Sequence, residues 1–87
     1  MQNKIKLPVK YVRQILKALD LHFHTKKLTD GFGVQLFLTN DGFEHININV
    51  YKTGTVLVQP SDGKKVKFIQ KILRMRATHL RRKGKIE

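Results

Sequence analysis

Apolar residues recur at two different spacings along this chain, and each change of spacing marks a new predicted element. From Val9 to Leu21 they recur every three or four residues, which predicts an amphipathic helix. From Val34 onward they alternate with polar residues, which predicts strands with one buried face. The helical spacing returns from Val66 to Leu80. It predicts a second helix over about Asp62 to Arg82, ended by Gly84.

The alternating segments predict three antiparallel strands, joined at Asn40-Asp41-Gly42 and at Lys52-Thr53-Gly54. Both are turn sequences, because Gly, Asn and Asp accept the positive φ of tight turns. Lys4–Leu7 has the pattern of a short additional strand, whereas residues 22–32 are interpreted as a polar connection that is extended around His22–His24. The order is (β)-α-β-β-β-α. It predicts an α+β two-layer sandwich, in which two helices cover one face of a three- or four-stranded antiparallel sheet.

The composition narrows the classes of function. The 87 residues predict a single domain over residues 1–87, with a basic helical C-terminal extension from about residue 76. A net charge of +12 is typical of proteins that bind nucleic acid or another anionic surface. The chain has no cysteine, no 18-residue apolar run and no signal peptide. We therefore expect a cytoplasmic protein with no membrane partner.

The positive charge is concentrated in the second predicted helix. Ten Lys or Arg residues and no acid lie between Gly63 and Ile86. A row of them repeats every three or four residues, so its members lie about 4.5–6 Å apart along the helix axis. Such a row repels itself unless an anion meets it, and phosphate is the expected partner. The predicted phosphate-binding residues are Lys64, Lys65, Lys67, Lys71, Arg74, Arg81, Arg82 and Lys83.

The polar side of the predicted sheet is the second candidate surface. Two helices cannot cover both faces of a small sheet, so we expect this face to be open. Its aromatic and amide side chains could stack on bases and bond base edges, or contact a second copy of the chain. An ordinary solvated face is an equally good interpretation. The residues predicted to bind here are Phe37, Asn47, Asn49 and Tyr51.

The chain carries no pattern that predicts catalysis or a metal site. His22 and His24 would share one side of an extended segment, but no cysteine or nearby carboxylate completes a metal site. His45 and His79 have no Ser, Cys or paired carboxylate spaced to act with them. We expect a non-enzymatic protein without cofactor or metal.

The segment Ile48–Gln59, INVYKTGTVLVQ, resembles the N-terminal domain of bacterial ribonuclease HIII. The resemblance implies a TATA-binding-protein-like fold, in which a helix lies on a curved antiparallel sheet closed by a second helix. It also implies that the protein helps to bind an RNA/DNA hybrid through Tyr51, Lys52 and the open sheet face. The similar motif covers 12 residues, whereas the shared order of helices and strands covers nearly the whole chain. The catalytic domain of that family is missing from the sequence, so the resemblance implies a stand-alone binder or one component of a larger machine.

Two other families share the predicted order of elements. Gly63-Lys64-Lys65-Val66-Lys67 is similar to the lysine cluster of double-stranded RNA-binding domains, although their Ala-rich continuation is replaced here by FIQKILRMR. HicA toxins cleave RNA with a histidine that follows a Gly-Ser/Thr pair, and the chain has no such motif. This difference also favours a protein that is not an enzyme.

Two hypotheses follow. The first is a small nucleic-acid-binding module, with a duplex or RNA/DNA hybrid as its favoured ligand; the sequence leaves DNA or RNA, and sequence specificity, open. The second is a protein-interaction module. It would use Leu73, Ala77 and Leu80 of the basic helix, or the open sheet face, to form a homodimer or to dock on an acidic partner such as a nuclease or an antitoxin.

Overall fold

The protein has an α+β fold built from one antiparallel sheet and two helices, as the spacing of apolar residues predicts. A computed structural model describes residues 5–60 and 62–86. The sheet has the strand order β1-β5-β4-β3-β2, and every neighbouring pair is antiparallel. The elements are β1 (Ile5–Lys6), α1 (Val9–Ala18), β2 (Phe23–Lys27), a 3-10 turn (Thr29–Gly31), β3 (Gly33–Leu38), β4 (Asn47–Tyr51), β5 (Thr55–Gln59) and α2 (Lys64–Arg82).

The sheet has five strands because residues 22–32, interpreted above as a connection, contain β2. This strand is an edge strand that pairs with β3 along its whole length. Only Phe23 at its start packs against the core, whereas Thr25 and Lys27, which share its inward side, are exposed. The strand is therefore held by backbone pairing rather than by apolar contacts. For this reason it lacks the apolar alternation that marks the other strands.

The core lies between one face of the sheet and both helices. Leu36 and Ile48 on the sheet are fully buried, as are Val12 and Leu16 on α1. The helix α2 adds Val66, Ile69, Leu73 and Ala77 to the same cluster. Leu73 and Ala77 are only 0% and 4% exposed, so they cannot form the docking surface that the protein-interaction hypothesis gave them. The remaining side of α2 faces away from the sheet.

The connection between β3 and β4 is longer than the tight hairpin predicted at Asn40-Asp41-Gly42. The register of the two strands ends at Phe37 and Asn47, one further backbone hydrogen bond joins Leu38 to Ile46 at 3.2 Å, and turns occupy residues 41–45. Asn40 begins a turn within this loop, because its carbonyl accepts a hydrogen bond from the N–H of Phe43 at 2.9 Å. Its side chain also accepts a hydrogen bond from the backbone N–H of His22 at 2.6 Å and donates one to the carbonyl of Asp20 at 3.2 Å. The loop is thereby fastened to the segment that follows α1.

Candidate nucleic-acid interface

A row of cations runs along the side of α2 that faces away from the core. Its first four members recur every three or four residues, the last lies about two turns further on near the end of the helix, and all are exposed. At 1.5 Å per residue the row is about 27 Å long. We call it the basic face of α2; it consists of Lys64, Lys67, Lys71, Arg74 and Arg82. Arg81 and Lys83, also predicted to bind phosphate, are exposed beside its C-terminal end.

Little negative charge opposes the basic face. The Oδ1 of Asp62 lies 3.6 Å from the Nζ of Lys67. Both side chains are largely exposed, and ion pairs at the protein surface contribute little to stability. The helix starts at Gly63 without a side-chain cap and has no acid in its first turn. Its free N–H groups, which carry the positive end of the helix dipole, therefore add to the positive potential at this end.

Lys65 does not lie on the basic face, although it was predicted to bind phosphate. Its Nζ donates a hydrogen bond to the carbonyl of Gly42 at 2.9 Å and lies 4.8 Å from the centre of the Phe43 ring. These contacts join the first turn of α2 to the loop between β3 and β4. Lys65 therefore has a structural role in the free protein.

The same loop holds a carboxylate that stays ionised. The pKa of Glu44 is lowered because backbone N–H groups, its own and that of Gly42, donate to the carboxylate. The Gly42 bond is 2.7 Å long, and the charges of His45 and Lys65 lower the pKa slightly further. At neutral pH the loop thus carries a negative charge near Lys65, which reduces the attraction of Lys65 for phosphate.

We expect Lys65→Ala to lower the free energy of unfolding by roughly 0.5–1.5 kcal/mol, because one hydrogen bond and one cation–π contact are lost. Lys64→Ala is the matched control, since it removes the same charge from the neighbouring exposed position. It should leave stability within about 0.5 kcal/mol of the wild type. Urea denaturation of both variants measures the difference. Equal stabilities would show that the Lys65 contacts do not hold the loop.

The opposite face of the sheet is open, as predicted. We call it the outer sheet face; it is formed by the residues that alternate with the core along β2 to β5. In one row Lys26, Gln35, Asn49 and Leu57 lie directly opposite one another on four adjacent strands, and in the next row His24, Phe37, Asn47 and Gln59 do the same. No strand contains an acidic residue.

The predicted binding residues of this face differ in accessibility. Phe37, Asn47 and Tyr51 are half-buried, and Lys52 is exposed in the turn between β4 and β5. Asn49 is only 7% exposed, which contradicts its prediction as a surface contact. The cause is its place on the central strand, where its neighbours cover it.

Asn49 also contains an unsatisfied polar atom. Its Nδ2 lies 3.5 Å from the Tyr51 hydroxyl oxygen, at the limit for a hydrogen bond. Its Oδ1 is buried and accepts no hydrogen bond from residues 5–60 and 62–86. Gln35, directly opposite on β3, instead donates to the Oδ1 of Asn47 at 3.3 Å. An unpaired buried oxygen of this kind is uncommon in folded proteins.

Some exposed side chains on the two surfaces were not predicted. Lys26 was missed because β2 was not recognised. Phe68 and Met75, which are 49% and 59% exposed, lie among the cations of α2. They are seven residues apart, a spacing that places them on one side of a helix, and the sequence alone could have shown this. Phe32, 61% exposed, lies with Tyr51 around a shallow depression of about 460 Å³ at one end of the outer sheet face.

The basic face of α2 and the outer sheet face point in opposite directions, because α2 covers the inner side of the sheet.

Among residues 5–60 and 62–86, no three His, Asp or Glu side chains come together as metal ligands. Within the same residues, neither helix has the length and apolar character needed to cross a membrane. Comparison with protein-family models, curated proteins and solved structures found no match to the chain.

Proposed function

We propose that this protein is a small, non-enzymatic, cytoplasmic module that binds the phosphate backbone of a nucleic-acid duplex or RNA/DNA hybrid. The observation that carries the proposal is the basic face of α2, which is exposed and about 27 Å long. Within residues 5–60 and 62–86, Asp62 is the one acidic residue that forms an ion pair with it. Neutralising phosphates with such a row releases condensed counterions, and this release drives sequence-independent binding.

The shape of the molecule supports backbone contact rather than a buried site. The core holds α2 from Val66 to Ala77 through four buried side chains, so most of the basic face is presented on a rigid support. Because the backbone beneath the row is already fixed, only the cationic side chains lose conformational freedom when they contact phosphates. Arg74 and Arg82 can also bind phosphate oxygens with two parallel N–H groups of a planar guanidinium, whereas lysine acts as a compact point charge.

The resemblance to the N-terminal domain of ribonuclease HIII agrees with this proposal. That resemblance implied two helices on an antiparallel sheet, an arrangement the present fold also has, with five strands. A fold does not by itself determine function. Our proposals that the chain is related to this family and that it prefers RNA/DNA hybrid both rest on the motif at Ile48–Gln59.

An acidic protein partner is the second candidate. Phe68 and Met75 favour it, because exposed apolar side chains within a basic face could fit an acidic amphipathic helix. A partner of this kind would compete for the same surface as nucleic acid.

Fluorescence anisotropy with labelled duplex DNA, duplex RNA, hybrid and single strands tests the proposal. We expect dissociation constants of about 10⁻⁶–10⁻⁴ M for the duplexes at physiological salt, as for other non-specific binding. Polyglutamate is the matched competitor, because it carries charge without phosphate. Tighter binding of labelled polyglutamate than of any of the four nucleic acids would favour the protein partner and reject the proposed function.

A further inference from the structure

We propose that the protein is bivalent: the basic face of α2 binds a duplex while the outer sheet face of the same molecule binds a single strand. This inference rests on the proposed function of α2 and adds a second site, a second class of ligand and a bridging activity. It follows from the placement of the two surfaces on opposite sides of the molecule.

The chemistry of the outer sheet face suits unpaired bases. Phe37 and Tyr51 are half-buried there, so two aromatic rings are available to stack on base faces, and Leu57, which is 43% exposed, adds an apolar contact. Base stacking on such side chains is insensitive to sequence. Lys26 and Lys6 supply positive charge from the two outer strands, and no strand residue supplies negative charge. Within a duplex the base faces are already stacked, so this surface favours a single strand.

Asn49 gives an independent reason to expect a ligand on this face. Its unpaired Oδ1 lies on the central strand, in the row between Gln35 and Leu57. Buried polar atoms normally have a hydrogen-bond partner, so this oxygen needs an explanation, and a ligand on this face supplies one. A base edge that bound the Oδ1 of Asn47 would break the hydrogen bond from Gln35. The Gln35 amide could then donate to the Oδ1 of Asn49, which lies directly opposite it on β4.

A single duplex cannot reach both surfaces. The molecule measures 28 Å along its shortest principal axis, whereas duplex DNA stays nearly straight over its persistence length of about 50 nm. Bending a duplex around a body of this size is therefore too costly for contacts of this strength. Occupation of both faces requires two separate segments, so the protein joins them.

A capture experiment tests the inference. A 20-base-pair duplex DNA is fixed to a surface, the protein is added, and a labelled oligothymidylate of twelve residues follows, which cannot pair with the duplex. We expect about one strand retained per bound protein. Lys26→Glu with Leu57→Glu, both exposed, should lower strand retention at least tenfold and change protein retention on the duplex less than twofold. Lys27→Glu with Gln14→Glu is the matched control, with the same charge change at exposed positions off this face, and should retain the strand.

The outcomes separate the two proposals. Protein that is retained neither on the duplex DNA nor on a fixed duplex RNA or RNA/DNA hybrid of the same length rejects the proposed function and the inference together. Retained protein that captures no strand, or that the strand displaces from the duplex, overturns only the inference. A mixture of the Lys26→Glu/Leu57→Glu variant with a Lys71→Glu/Arg74→Glu variant should capture no strand, because neither has both faces. Restored capture by the mixture would show that the protein bridges through oligomers, which contradicts bivalence of one molecule.

Discussion

Lys71→Glu combined with Arg74→Glu should weaken duplex binding by about 100-fold at 0.1 M salt. Each phosphate contact contributes a factor of roughly eight at this salt concentration, and the two new carboxylates add repulsion. Both positions are exposed and lie in the middle of the basic face. Stability should stay within about 0.5 kcal/mol of the wild type, because like-charge repulsion along α2 falls. Fluorescence anisotropy and thermal unfolding measure the two effects.

A control distinguishes the basic face from net charge alone. Lys10→Glu with Lys17→Glu makes the same charge change at exposed positions of α1. We expect its affinity to fall less than tenfold, since these residues lie outside the basic face. Equal losses for the two double variants would mean that binding depends on total charge and that α2 has no special part in it.

Ile48→Asp should unfold the domain. Ile48 lies on the central strand, is 0% exposed and is opposed by Leu36 and Val58 on the neighbouring strands. A carboxylate there would be buried without a partner, which costs several kcal/mol, and domains of this size are stable by only about 5–15 kcal/mol. Loss of the cooperative transition in urea, followed by circular dichroism, is the expected result.

Leu57→Asp is the matched control for this prediction. It makes a similar chemical change on the adjacent strand, at a side chain that is 43% exposed on the outer sheet face. We expect a loss of about 1 kcal/mol or less, mainly from the low strand propensity of Asp. If the two variants were equally stable, the inner and outer faces of the sheet would be assigned wrongly.

The apolar spacing was sufficient to predict both helices and the three central strands, because those elements bury one side in the core. Val66, Ile69, Leu73 and Ala77 are a clear example, since every one of them is buried. The strand β2 could not be predicted in this way, because its inward residues Thr25 and Lys27 meet solvent. Its pairing with β3 is a long-range backbone contact that side-chain patterns do not record.

The sequence was sufficient to predict the row of cations in the candidate site, but not the contacts and burial of individual side chains. The row from Lys64 to Arg74 follows from helical spacing alone, and the structure places all of it on one exposed side. Lys65 is a neighbour in sequence, but its contacts with Gly42 and Phe43 depend on how the distant loop folds. Asn49 was misjudged because alternation gives the face of a strand, whereas burial on that face depends on the neighbouring strands.

The salt dependence of duplex binding tests the central claim most directly. If the basic face neutralises about four to six phosphates, log affinity should fall against log salt with a slope of about −4 to −5 for duplex DNA. Between 50 and 200 mM salt the affinity would then fall by roughly 250- to 1000-fold. The slope for Lys71→Glu/Arg74→Glu should be smaller by about 2. A slope near zero for the wild-type protein would contradict phosphate binding as its function.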